Sequence, residues 1–330
     1  MKAIIYHRYG SPDGLECEEI EKPAPKDDEV LIQVRAASLN PYDWHFLRGL
    51  PYFLRLQTGL GKPTDPRLGV DLAGRVESVG NKVTQFKTGD DVFGCGRGAF
   101  AEYACASEAK LARKPEDMTF EQAASLPIAG LTALQGLRLG ASSDKGQIPQ
   151  GKRVLINGAA GGVGTFAVQI AKSFGAEVTG VCSTRNVDRV RSLGANRVVD
   201  YTREDFTEGG QRYDLILDCV ANHSLSAFRR ILDPKGSYIM VGAADGGGRW
   251  MIGVLARLLG AFVLSRFGGQ KLVMMGAKIT NEDLTTLAKL MKAGRLRPVI
   301  DRRYQLNEVP EAIRYLEQGH ARGKVVVTVQ

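Results

Sequence analysis

The stretch GKRVLINGAAGGVGTFAVQIAK, residues 151 to 172, runs from an apolar strand over Arg153 to Ile156, through a glycine-dense turn, into a segment that repeats apolar residues at helical spacing from Val163 to Phe174. Gly158, Gly161, Gly162 and Gly164 let backbone come close to a ligand, and a helix N-terminus behind them favours negative charge, which is how a pyrophosphate is held. The strict G-x-G-x-x-G is absent, because Ala159 stands at its first position. Context decides the reading: the turn follows a strand, opens a helix and begins a βαβ unit, so a dinucleotide site is expected. Ala160, Gly161, Gly162 and Val163 are its candidate phosphate-facing residues.

Working outward toward the C-terminus, strands and helices keep alternating. Strands are predicted at Val178 to Val181, Arg197 to Val199, Leu215 to Leu217 and Tyr238 to Val241, and helices at Val187 to Leu193 and Leu225 to Leu232. Alternation of this kind implies a doubly wound parallel sheet covered on both faces. A possible edge strand follows at Leu272 to Met275, then a helix at Leu284 to Met291. Toward the N-terminus the pattern is different, with short strands between Gly and Pro corners and period-2 alternation at Val30, Ile32 and Val34. A helical pattern rich in Ala and Leu begins near Pro115 and continues through MTFEQAASLPIAGLTALQGL.

The second strand of the nucleotide unit sets cofactor choice. An NAD site places a carboxylate there, about 20 residues after the glycine turn, to bind the ribose hydroxyls. This chain instead reads Val181, Cys182, Ser183, Thr184, Arg185, with no acid. Ser183 can donate to a phosphate and Arg185 can pair with it, so a 2′-phosphate is the better match and NADPH is the expected cofactor.

The 39 glycines in 330 residues exceed the ~7% average and fit a fold with many tight turns and a close backbone–ligand approach. A net charge of +8 favours anionic partners only weakly, since no run of five like charges gives it an address. Five cysteines without a C-x-x-C spacing suit a reducing compartment, and a charged N-terminus with Tyr6 argues against a signal peptide, so a cytoplasmic location is expected. Trp250 to Phe267 is the longest apolar stretch, but Arg257 and Arg266 interrupt it, so it is too short and too charged to span a bilayer. A lid, a dimer contact and a membrane-surface helix all remain open for it, lid or interface being favoured.

Several further motifs carry a family resemblance: N-P-x-D at Asn40, Pro41 and Asp43, F-x-x-G-D-x-V-F-G from Phe86 to Gly94, G-L-T-A from Gly130 to Ala133, and the glycine stretch itself. The chain resembles the medium-chain dehydrogenases and reductases, and within them the zinc-independent quinone oxidoreductase, or zeta-crystallin-like, branch. The resemblance implies an α/β protein with a GroES-like β-rich catalytic domain, residues 1–121 and 279–330, and an inserted Rossmann NADP-binding domain, residues 122–278. It also implies a homodimer.

Metal-dependent relatives carry a Cys where this chain has Asn40, a His where it has Val70, and a further Cys after Pro127 that is missing here, so no metal is expected. The resemblance places Asn40 near the nicotinamide and the substrate carbonyl, and Tyr42 and His45 where a proton relay runs in metal-dependent relatives. A catalytic and a merely capping or surface role for His45 stay open; Asp43 is expected to be a structural acceptor. Thr132 and the Gly242 backbone are assigned to the nicotinamide, and Tyr201 to the phosphate-bearing ribose or, alternatively, to an ordinary strand end. Lys324, beside Gly323 in the last strand, is within reach of the cofactor in one reading and solvated in the other, and the solvated reading is the expectation.

The implied activity is NADPH-dependent reduction of a small apolar quinone or enone by hydride transfer. The competing classes are a fold-retaining protein with a non-catalytic role such as RNA binding, and an NAD(P)-dependent alcohol or aldehyde oxidoreductase. No basic helix or aromatic array supports nucleic-acid binding.

Overall fold

A computed structural model describes residues 1–141, 148–241 and 269–329. The chain divides into two units, Met1–Leu131 with Ile279–Gln330, and Thr132–Lys278. The expected division at 121/122 falls within the helix Phe120–Ala124, whereas the observed one lies within the longer helix Pro127–Gly140. Gly242, assigned above to the nicotinamide, and the apolar stretch Trp250 to Phe267 lie outside the described residues.

The strands of the first unit are β1 (Lys2–Tyr6), β2 (Leu15–Glu19), β3 (Glu29–Leu39), β4 (Asp71–Val79), β5 (Asp91–Cys95), β6 (Tyr103–Ser107) and β7 (Leu111–Arg113). The second unit contributes β8 (Arg153–Asn157), β9 (Glu177–Cys182), β10 (Arg197–Asp200), β11 (Tyr213–Asp218), β12 (Leu232–Met240) and β13 (Lys271–Met274), before β14 (Ile300–Gln305) and β15 (Lys324–Thr328) return to the first.

In the second unit the order is β10-β9-β8-β11-β12-β13, with every neighbouring pair parallel. β8 is apolar between Arg153 and Asn157, as a strand buried on both faces is: Val154, Leu155 and Ile156 are fully buried. The glycine turn leads into the helix Gly162–Ser173. A Cβ at Gly164 would stand 2.1 Å from the Gly158 carbonyl oxygen, so only glycine lets this helix pack so tightly on its own strand.

In the first unit a seven-stranded sheet runs β14-β15-β3-β4-β5-β7, with β6 also pairing β3, and β1 and β2 form a separate two-stranded sheet. The 11-residue β3 is its centre, flanked by β4 and β6 from the N-terminal part and by β15 from the C-terminal end. Val325 pairs with Leu39, which brings Lys324 to the end of β3.

Two expectations are corrected, and one segment for which no element was predicted gains a helix. The helical pattern after Pro115 is two helices, Phe120–Ala124, capped by Thr119, and Pro127–Gly140; Pro127 lacks the N–H that would continue the first. The strand predicted at Tyr238 begins at Leu232 and takes Pro234 with it. Asn40 to His45, read as a string of reactive side chains, belongs to a helix, Pro41–Arg48. Among the described residues no helix is long and apolar enough to cross a membrane.

Candidate active site

The nucleotide unit offers a bare helix end. Gly161 is the N-cap of Gly162–Ser173 and no side chain caps it, so the amides of Gly162 and Val163 are left without an intrahelical partner. Gly158, at φ +83°, turns the chain where a Cβ would meet Val220 at 2.8 Å. The winding of the sheet reverses between β8 and β11, the place where doubly wound sheets bind ligands. At that point Asn157 Nδ2 donates to Asp218 Oδ1 and to Asn222 Oδ1, both at 2.9 Å. Asp218 is fully buried and also accepts from the backbone of Val220 and Ala221 and, at 2.7 Å, from the Tyr238 hydroxyl. Ala221 sits at φ 60°, the one positive-φ non-glycine residue among the described residues. Such a conformation persists only when its surroundings enforce it, and here the Asp218 carboxylate pins the loop. Asn157 and Asp218 were missed from sequence; a polar residue closing each of two apolar strands was the available signal.

At the end of β9, Ser183 receives a hydrogen bond from Asn186 Nδ2 at 3.1 Å. Arg185 is exposed and Tyr201 is 53% exposed at the end of β10. The neighbouring Asp200, also unread from sequence, is engaged by Thr184 Oγ1 at 2.5 Å and by the Thr202 hydroxyl at 2.7 Å, and these bonds, Thr184 foremost, hold its pKa below the ordinary carboxylate value. Thr132 is buried within the helix Pro127–Gly140.

The first unit contains a buried polar cluster that sequence reading did not anticipate. Lys324 is 3% exposed, not solvated. Its Nζ donates to Asn40 Oδ1 at 2.7 Å and to the Leu39 carbonyl at 3.0 Å, and lies 3.5 Å from Asp71 Oδ2. Asn40 Nδ2 donates to the same Asp71 oxygen at 2.9 Å. Asp71 also accepts from Ser38 Oγ and from the Ile128 amide, each at 3.1 Å. Burial lowers the lysine's pKa while Asp71 and Asp43 oppose the fall. The Asn40 amide therefore has a partner at each end, oxygen to Lys324 and nitrogen to Asp71. Nothing in local sequence links these groups: an aspartate inside an apolar strand and a lysine opening another were the only signals.

Asn40 is also the N-cap of Pro41–Arg48, with Pro41 in the first turn, where its missing N–H costs nothing, and Gly49 at φ 59° ending the helix. Asp43 Oδ2 accepts from the Asn40 amide at 2.7 Å, as a structural acceptor should. Its other oxygen is buried without a partner among the described residues. Burial, strengthened by Asp71 and opposed by the Asn40 amide and Lys324, pushes this carboxyl up to about 7. Tyr42 and Phe46, one turn apart, stack with ring centroids 3.9 Å apart. Burial pushes the Tyr42 hydroxyl up to about 12, so it keeps its proton at neutral pH.

Tyr42, Asp43 and Phe46 line a cavity of about 230 Å³, closed on other sides by Asp65, Arg67 and Arg97 among others. His45 is not among the lining residues. Its Nδ1 lies 3.0 Å from the Leu50 carbonyl, its ring stacks on Trp44 at 3.7 Å, and burial lowers its pKa. The structure thus brings Asn40, Tyr42 and Asp43 together and turns His45 aside.

An uncapped helix end behind a glycine turn on one unit and a cavity bordered by Tyr42 and Asp43 on the other are what a nicotinamide-dependent oxidoreductase needs. Residues 26–116 match the family model of the alcohol dehydrogenase GroES-like domain and residues 193–327 that of the zinc-binding dehydrogenase domain. A chloroplastic quinone oxidoreductase of Triphysaria versicolor is 35% identical over 99% of this chain and 98% of its own. An NADPH-dependent alkenal/one oxidoreductase of Arabidopsis thaliana is 34% identical over 99% of this chain and 79% of its own. Among solved structures, the quinone oxidoreductase of Coxiella burnetii superposes with a TM-score of 0.84 at 33% identity, covering 100% of this chain and 99% of that one. The Escherichia coli quinone oxidoreductase complexed with NADPH gives 0.82 at 25%, covering 99% and 100%. The chain belongs to the medium-chain dehydrogenase/reductase superfamily, in its quinone oxidoreductase branch.

The name of the second family model raises zinc, and the donors do not fit it. Asn40 and Val70 offer neither thiolate nor imidazole, and the Lys324 ammonium already occupies the Asn40 oxygen. Among the described residues no group of three or more His, Cys, Asp or Glu is placed to hold a metal.

Proposed function

We propose that this enzyme reduces quinones or α,β-unsaturated carbonyls with NADPH, without zinc. The observation that carries the reading is the cavity bordered by Tyr42, whose hydroxyl keeps its proton at neutral pH, and by Asp43, whose carboxyl burial pushes up to about 7. The names of the relatives, quinone and alkenal/one oxidoreductases, support the same acceptor class. The amides from Ala160 to Val163 would hold the pyrophosphate, and Ser183 and Arg185 the 2′-phosphate, with Tyr201 beside them. Thr132 is assigned to the nicotinamide. When bound, the reduced nicotinamide supplies a hydride to the quinone or to the β-carbon of the enone. Tyr42 donates a hydrogen bond to the acceptor oxygen, where negative charge develops, and Tyr42 or water returns the proton to the product. Asn40, its amide held by Lys324 and Asp71, positions the helix that carries Tyr42 and Asp43. All five cysteines are free, which supports a reducing compartment.

The test is NADPH oxidation by the chelator-treated protein with quinones, enones and saturated aldehydes. Quinone or enone turnover should survive the chelator. Turnover that is lost with the metal, or that occurs only with saturated aldehydes, overturns the reading. Arg185→Asp should raise KM for NADPH by roughly tenfold or more, the worth of one charge-assisted contact, and leave that for NADH nearly unchanged; an equal rise for both removes the 2′-phosphate assignment.

A further inference from the structure

Five of the eight exposed large apolar or aromatic side chains among the described residues lie between positions 42 and 60: Tyr42, Tyr52, Phe53, Leu56 and Leu60. Leu56 and Leu60, four positions apart, are 75% and 72% exposed. The segment that carries them is not loose. Tyr9 donates its hydroxyl to the Gly59 carbonyl at 2.6 Å and lies 2.7 Å from Thr58 Oγ1, and the Thr64 amide donates to the Thr58 carbonyl at 2.7 Å. Arg55 lies over the rings of both Tyr9 and Tyr52, at 4.4 and 4.9 Å, while its Nε donates to the Gly49 carbonyl. An apolar ridge is therefore held out in a fixed shape, which lowers the ordering cost of anything that lies along it.

The segment that carries these side chains also borders the cavity. Gln57 and Thr58, between Leu56 and Leu60 in sequence, line it, as do Tyr42 and Phe46. At about 230 Å³ the cavity falls below the ~300 to 1,000 Å³ of sites that enclose a drug-sized ligand, so it takes a ring and little more. Any hydrocarbon substituent on that ring must leave the cavity, and at Gln57 and Thr58 it meets the segment that holds Leu56 and Leu60 outward.

We propose that Tyr52, Phe53, Leu56 and Leu60 form the seat for the hydrocarbon tail of the acceptor, so that the enzyme selects tailed quinones over bare rings. This rests on the acceptor reading above and narrows its substrate class. A bare ring gains nothing from the ridge, whereas each methylene laid against it is worth up to about 0.8 kcal/mol, roughly fourfold in kcat/KM.

The experiment compares a tailless quinone with the same ring carrying a ten-carbon tail, kept below its micelle concentration, in the wild type and in Leu56→Gln/Leu60→Gln. Both substitutions fall on exposed side chains, and an unchanged melting temperature verifies the fold. The wild type should favour the tailed quinone by roughly tenfold or more, and the double variant should lose most of that preference, with the tailless rate within about twofold. Quenching of tryptophan fluorescence by the two quinones gives the same contrast in Kd without turnover. A tail preference that the variant retains overturns the proposal, as does an equal loss for both quinones. Loss of lipid-vesicle flotation or of self-association in the variant, with the tail preference intact, assigns the ridge to a membrane or to a second copy instead. If the wild type reduces and binds neither quinone, the acceptor reading itself fails and the tail seat falls with it.

Discussion

Asp43 serves two purposes that pull against each other. One oxygen must accept from the Asn40 amide to start the helix, a role any carboxylate or carboxamide fills, while the other is buried with no partner among the described residues. Burial raises this carboxyl from its ordinary 3.8 to about 7, with Asp71 adding to the rise and Lys324 opposing it. An acid whose folded-state pKa is raised binds its proton more tightly folded than unfolded. Its contribution to stability is therefore complete below pH 4 and is lost as the pH climbs through 7. Asp43→Asn keeps an acceptor for Asn40 and removes the ionisation. Relative to the wild type, the variant should gain on the order of a few kcal/mol between pH 4 and pH 8, read as the difference between two denaturant-unfolding curves at each pH. A difference that stays flat across that range would show that Asp43 ionises as freely in the fold as outside it.

At the scale of elements, what could be read from the sequence was what local pattern determines. β8, its glycine turn and the following helix were legible because a strand buried on both faces is apolar throughout and Gly164 is sterically required. The helix Pro41–Arg48 was not, since Pro, Tyr, Asp, Trp and His in eight residues show no apolar period; its signals were the Asn40 cap, Pro41 and Gly49. That oversight had a chemical consequence. Three positions apart, Tyr42 and His45 would share one side of a regular helix, but the packing here sends Tyr42 to the cavity and His45 to Leu50. Lys324 and Asn40 lie 284 positions apart, and only the pairing of β15 with β3 brings them together. A residue's own neighbours in sequence carry no trace of such a contact, so a lysine in a terminal strand reads as solvated.

For the molecule as a whole, the first unit is closed by its own C-terminal strand, and the Lys324 cluster lies on that seam. Lys324, Asp71 and Asn40 come from β15, β4 and the end of β3, so they bind the two ends of the chain through charge as well as through the sheet. The net worth of a buried ion pair is small, because desolvation offsets attraction, but removing one partner strands the other. Lys324→Met should therefore destabilise the first unit by about 3 to 5 kcal/mol, leaving the fully buried Asp71 without its cationic partner. Lys324→Met/Asp71→Asn should recover much of that loss, since no charge is then left unpaired. In a Trp250→Phe background Trp44 alone reports on the first unit, and cofactor binding reports on the second, which keeps the two transitions separate. If the double variant were as unstable as Lys324→Met, packing of the lysine stem would be holding the seam, and the charge would be incidental to it.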